Sequence, residues 1–175
     1  KDQYFDSKYS HEEFQERLIK GDLKIRPNSD WKTIRKGKAS GKLVGGNINS
    51  FLKLAGTRHL PGLKGKILLI EGYNLRIRDI IHNITHLKQM GVFDQISGIV
   101  VGHFFAFDTK EKLDKNNNRV YFEDILKDLT SEYDFPILKI HEFGHKCPST
   151  FLPIGGLAEF DAGKKEFKLL EKFVD

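Results

Sequence analysis

Short unbroken apolar runs punctuate the middle of this chain. Between them, apolar residues recur every three or four positions. Ile67 to Ile70, Ile96 to Val101 and Pro136 to Ile140 are the unbroken runs. Runs of that length bounded by turn residues predict buried strands. Ile77, Ile80, Ile81, Ile84 and Leu87 have helical spacing, with Gly91 as the stop, and Phe122, Ile125, Leu126 and Leu129 form a second amphipathic helix. Strand, helix, strand, helix, strand predicts a parallel sheet with right-handed crossovers. Towards the end, Ala158 to Phe160 and Phe167 to Leu170 flank Asp161-Ala162-Gly163, a hairpin signal. The expected fold is therefore α/β, with a mainly parallel central sheet and an added antiparallel hairpin.

The first forty residues read differently. Ser10 is expected to open a helix, with Glu13 at capping-box spacing, Phe14 and Leu18 on one face and Gly21 as its stop. A polar stretch from Pro27 to Gly41 follows and holds the single tryptophan, Trp31. Residues 1–40 are thus expected to be a linker or helical arm from a preceding domain, and residues 41–175 the domain proper. Within the latter, Leu43-Val44 runs into Gly45-Gly46-Asn47, read as a tight turn exposing the Asn47 amide. Asn49 is expected to cap a short helix carrying Leu52, Leu54 and Ala55, closed by Gly56. Pro61-Gly62 marks a turn, and Asn116 to Asn118 a loop tip.

Composition narrows the function classes. With 39% hydrophobic and 30% charged residues the chain reads as a soluble globular protein. Its net charge of +5 is spread over scattered lysines, without the basic stripe interleaved with aromatics that marks a nucleic-acid groove. No apolar run approaches bilayer length, and no secretory leader is read, so neither nucleic acid nor membrane is an expected partner. The lone cysteine, Cys147, excludes an internal disulfide and fits a reducing, cytoplasmic setting. The chain opens on Lys1 rather than Met and is expected to be a processed or truncated piece.

Two residues stand where α/β sheets assemble their sites, past the carboxyl ends of strands. Glu71 directly follows Ile67 to Ile70, and His145 follows Gly144 shortly after Pro136 to Ile140. A strand-end acid often only caps a neighbouring helix, and a loop histidine often only bonds backbone. Together they would be a proton-accepting imidazole and the carboxylate that holds its tautomer, two-thirds of a hydrolytic triad. The third part is missing: there is no Gly-x-Ser-x-Gly elbow, and Ser50, Ser97 and Ser149 lack elbow contexts. Cys147 is too near His145 in sequence and reads as a packing residue. His82 and His86 have the i, i+4 spacing of a zinc pair but lack the zincin glutamate, and His141 and His145 share that spacing outside a helix. No metal or cofactor is expected.

From Gly41 onward, an ordered series of segments resembles the LD-carboxypeptidases and the related microcin C immunity peptidases. The segments are Gly41 to Asn47, Gly56-Thr57, Ile67 to Glu71, Gly91-Val92-Phe93, Val101-Gly102, Pro136-Ile137-Leu138 with Gly144-His145, and Leu152-Pro153-Ile154-Gly155. Members of that family have two domains. The resemblance implies that this chain is the carboxy-terminal one, a swivelling β/β/α-type domain. Glu71 would then orient His145, and His145 would be the general base for a serine carried by the missing amino-terminal domain. It also implies that Asn47 and Trp31 contact the substrate, a small peptide or an aminoacyl nucleotide, with Trp31 leaning towards the second through stacking. Gly72-Tyr73-Asn74 departs from the further acidic residues that often follow the glutamate in this family. Homodimerisation is a family-level expectation, as is inactivity of this chain alone. The alternative is a non-catalytic binding or dimerisation module derived from the same family.

Overall fold

The computed structural model describes residues 7–108, 110 and 112–172. Its sheet has seven strands: β1 (Lys32–Arg35), β2 (Lys38–Asn47), β3 (Ile67–Gly72), β4 (Gly98–Phe104), β5 (Ile137–Gly144), β6 (Leu157–Asp161) and β7 (Glu166–Leu169). They lie in the order β1-β5-β4-β3-β2-β6-β7. β2, β3, β4 and β5 run parallel to one another, with Leu68 beside Val44 and Ile99, and Val100 beside Leu138. The strands at both flanks are antiparallel: β1 on β5, and the β6–β7 hairpin on β2. The α/β architecture expected from the alternating runs is the one observed.

The central strands are continuous apolar runs because they bury both faces. Leu68, Ile70, Ile99, Val101 and Ile137 point into one core with α2 (Ile48–Leu52), α3 (Ile77–Gln89) and α5 (Phe122–Leu129). Ile67, Leu69, Val100, Leu138 and Ile140 point into a second core with Phe160 and Phe167 of the hairpin. At about 1.5–3 kcal/mol per fully buried aliphatic or aromatic side chain, these two layers dominate the stability of the fold.

Several local expectations are corrected. The helix near the start is α1 (Lys8–Phe14), capped by Ser7 rather than Ser10, and it continues as a π-helical turn over Gln15–Ile19. Glu13 closes no capping box there; it is buried against Arg17, whose Nε donates to it at 3.1 Å. Gly45 and Gly46 are not a turn but part of β2. A side chain at Gly45 would place its Cβ 2.1 Å from the Leu69 carbonyl oxygen, so glycine permits the close pairing of β2 with β3. The cap of α2 is Asn47, not Asn49.

Packing also shows no break at residue 40. β1 is one edge strand of the sheet, and Ile25 and Trp31 belong to the second core. α1 is tied to the segment after His145: the Ser149 amide donates to Ser10 Oγ at 2.9 Å, and Thr150 Oγ1 donates to Glu13.

Candidate functional site

β3 and β5 are separated by β4 alone, so their carboxyl ends emerge close together. Glu71 is the penultimate residue of β3 and is 5% exposed. His145 follows Gly144, the last residue of β5. Between them, His145 Nδ1 and Glu71 Oε2 lie 2.8 Å apart. Gly144 makes this approach possible. Its φ is +125°, and a Cβ there would meet the His103 carbonyl oxygen at 2.9 Å and Glu71 Cβ at 3.2 Å. A glycine is the residue that tolerates both the dihedral and the crowding.

A carboxylate against Nδ1 accepts from a protonated Nδ1, and in a neutral ring that arrangement leaves Nε2 as the acceptor. The ring is half exposed, and no described residue bonds Nε2. Tyr73, on the loop after β3, packs tilted against His145 with ring centroids 5.2 Å apart, and Phe105 stacks on Tyr73 at 5.4 Å. This aromatic wall was not read from the sequence. The Gly72-Tyr73-Asn74 departure was its only trace.

No serine or thiol completes the arrangement among the described residues. Ser50 Oγ donates to Asn47, Ser149 Oγ to the Cys147 carbonyl, and Ser97 Oγ is buried without a partner. Burial pushes the Cys147 thiol up to about 11, so it is no thiolate at neutral pH.

Asn47 lies beside Glu71 in the β2–β3 register. Its Oδ1 accepts from the Ser50 amide at 3.1 Å, leaving the amide Nδ2 without a partner among the described residues. Trp31 is where the expectation fails. It is 2% exposed, and its indole Nε1 donates to Glu142 Oε2 at 2.8 Å. Glu142 also accepts from the Asn28 amide, Ser29 Oγ and the His141 amide. Trp31 therefore anchors residues 28–31 to β5 and offers no ring face to a substrate.

The histidine pairs singled out by spacing separate. His82 and His86 sit on the outer part of α3 with rings 6.4 Å apart, and no carboxylate or thiol joins them among the described residues. His141 is joined not by His145 but by His103 of β4 and by Asp108, which ends the short helix α4 (Phe105–Asp108). Lys139, 1% exposed, sits between Asp108 and Glu123. Burial works to raise the Asp108 carboxyl, but the bonds from His103 and His141 and the Lys139 ammonium hold it well below the usual carboxylate range. Sequence spacing missed this group because its members come from three elements. A cleft of about 940 Å³ lies between residues 22–27 and strands β2, β6 and β7. It contains neither Glu71 nor His145, and the acid–imidazole pair is the stronger chemical candidate.

Fold and chain comparisons place the molecule among peptidase-family domains. Residues 40–160 match the family described as the LD-carboxypeptidase C-terminal domain. A Vibrio cholerae protein assigned by name as a carboxypeptidase is 32% identical over 151 residues, covering 86% of this chain and 43% of that protein. The microcin C7 self-immunity protein MccF of Escherichia coli is 29% identical over 139 residues, covering 79% of this chain and 39% of that protein. Among solved structures, a muramoyltetrapeptide carboxypeptidase from Oxalobacter formigenes superposes with a TM-score of 0.73 at 23% identity, over 93% of this chain and 54% of that one. MccF superposes with a TM-score of 0.72 at 24% identity, over 86% of this chain and 45% of that one. The chain belongs to the LD-carboxypeptidase family and corresponds to its carboxy-terminal domain. It spans less than half the length of the curated relatives it matches.

Proposed function

We propose that this chain supplies the base and its orienting carboxylate to a serine-type peptidase, the serine and the oxyanion donors coming from an amino-terminal domain. The observation that carries the reading is the 2.8 Å contact between His145 Nδ1 and Glu71 Oε2 past the carboxyl ends of two strands that flank β4. In that reading His145 Nε2 takes the proton of the serine hydroxyl as its oxygen attacks the amide carbon. The imidazolium, stabilised by Glu71, then protonates the departing amine. Water repeats the sequence on the acyl-enzyme and releases the free acid.

With Trp31 in the core, the stacking that favoured an aminoacyl nucleotide is gone. An amide beside a D-amino acid in a muropeptide and the aminoacyl linkage of a nucleotide analogue are separated by assay. Asn47 pairs with Glu71 across β2 and β3, and its Nδ2 is the side-chain donor we assign to substrate. We also propose a cytoplasmic setting, which the single free thiol of Cys147 supports.

The test is reconstitution. The chain alone and the chain mixed with the separately made amino-terminal half are assayed on a muropeptide-like tetrapeptide and on an aminoacyl sulfamoyl adenosine. A base without nucleophile or oxyanion donors leaves only water attack, slower by about 10³-fold or more. Turnover in the mixture alone is expected. Robust turnover by the chain alone, or none in the mixture, would sink the proposal.

A further inference from the structure

Three donor atoms converge at the carboxyl ends of β4 and β5, beside the Glu71–His145 pair but separate from it. His103 Nδ1 lies 3.3 Å from His141 Nδ1 and 3.2 Å from Asp108 Oδ2, and His141 Nδ1 lies 3.5 Å from the same oxygen. An ion held tetrahedrally at about 2.0–2.1 Å from nitrogen and oxygen donors sets those donors about 3.3 Å apart. The three observed separations bracket that edge length.

The scaffold points the same way. The three donors stand on β4, α4 and β5, so their positions are set by the sheet and the turn that follows it rather than by a free loop. The Phe104 amide donates to Asp108 Oδ2 at 2.7 Å, which orients the carboxylate, the kind of outer bond that fixes a metal ligand. Asp108 and Glu123 are two carboxylates shared by the single buried ammonium of Lys139. Lys32, which also reaches Glu123, is 53% exposed, and its charge is screened by water. Lys139 and Lys32 together match the two carboxylates in formal charge, with Lys139 the buried one of the two.

We propose that His103, Asp108 and His141 form a binding site for one divalent transition-metal ion of the zinc type. Two imidazoles and one carboxylate are donors that zinc accepts, and three protein ligands leave a fourth position for water or an exogenous group. Lys139 holds Asp108 Oδ1, while Oδ2, which also accepts from the Phe104 amide, is the oxygen that faces both imidazoles. The ring of Phe105 lies 6.2 Å from that of His103 and stacks on Tyr73, which packs on His145. An ion there would brace α4 and the aromatic wall of the neighbouring pair. The metal-free rival is a proton: an imidazolium between Asp108 and the second imidazole meets the same carboxylate. The proposal stands on this cluster alone and does not depend on the peptidase reading.

The test is a zinc titration of chelator-stripped protein by calorimetry, with cobalt(II) absorption as a second readout of geometry. One ion per chain is expected, with the visible band of tetrahedral cobalt. His141→Ala should weaken binding about tenfold or more, whereas His82→Ala should leave it unchanged. Nitrogen-15 shifts of the histidines in unaltered protein make the result independent of variant folding: Nδ1 of His103 and His141 should move on zinc addition. No uptake, uptake insensitive to His141→Ala, or shifts confined to His82 and His86 would overturn the site and leave the proton-sharing cluster.

Discussion

His145 Nδ1 and Glu71 Oε2 stand 2.8 Å apart although 74 residues separate them in sequence. The contact exists because β3 and β5 flank a single strand and run in the same direction, and because Gly144 lets the chain turn against Glu71.

If that contact sets the imidazole tautomer, Glu71→Gln in the complete protein should lower kcat by about 10³–10⁴-fold, because an amide in place of the carboxylate no longer stabilises the imidazolium. His145→Ala should cost at least as much. Circular dichroism should be unchanged for His145→Ala, whose ring is half exposed. Wild-type turnover in either variant would remove the pair from the mechanism.

Gly144→Ala tests the backbone that builds the contact. Alanine at a φ of +125° is strained, and its Cβ would sit 2.9 Å from the His103 carbonyl oxygen. A loss of about 1–3 kcal/mol in unfolding free energy is expected, measured by urea titration. Activity should fall further than stability accounts for, since the shift moves His145 away from Glu71.

For Trp31→Phe the expectation is a purely structural effect. The ring volume is largely kept, but Glu142 Oε2 loses the indole donor at 2.8 Å. A buried carboxylate deprived of one hydrogen bond should cost about 1–3 kcal/mol. KM for both substrate classes should stay within experimental error; a rise in KM for the nucleotide analogue alone would restore Trp31 to the substrate site.

Cys147 gives a pH-dependent readout. Burial raises its pKa to about 11, above the value of about 8.5 for a free thiol. The folded state thus favours the protonated thiol. That contribution is fully present below about pH 8.5 and is lost as pH rises through about 11. At pH 8, alkylation by iodoacetamide should be slow in native protein and fast in urea. Cys147→Ser should leave turnover of the complete protein intact, whereas its loss would make the thiol a participant.

The strands and the two long helices were legible because each repeats its pattern locally: Ile67 to Ile70 is apolar at every position, and Ile77 to Leu87 at every third or fourth. Ends and caps were less so. Gly45-Gly46 looks like a turn in sequence, and only the 2.1 Å approach of Leu69 explains two glycines inside a strand. Trp31 looks like a ligand-stacking ring on a polar linker, yet Glu142, 111 residues away, draws it into the core. Spacing along the chain paired His141 with His145, whereas parallel pairing of β4 and β5 sets it against His103.

By itself, then, the sequence determined the alternation of strands and helices and the two strand-end residues, Glu71 and His145. Hydrophobic periodicity and strand polarity are local properties, written in consecutive residues. The tertiary structure decided which polar groups meet: Glu71 with His145, Trp31 with Glu142, and His103 with Asp108 and His141. Those meetings depend on strand order and on the desolvation of buried charge. Both are fixed only when distant segments pack, because a carboxylate taken out of water must find whichever donor the sheet brings beside it.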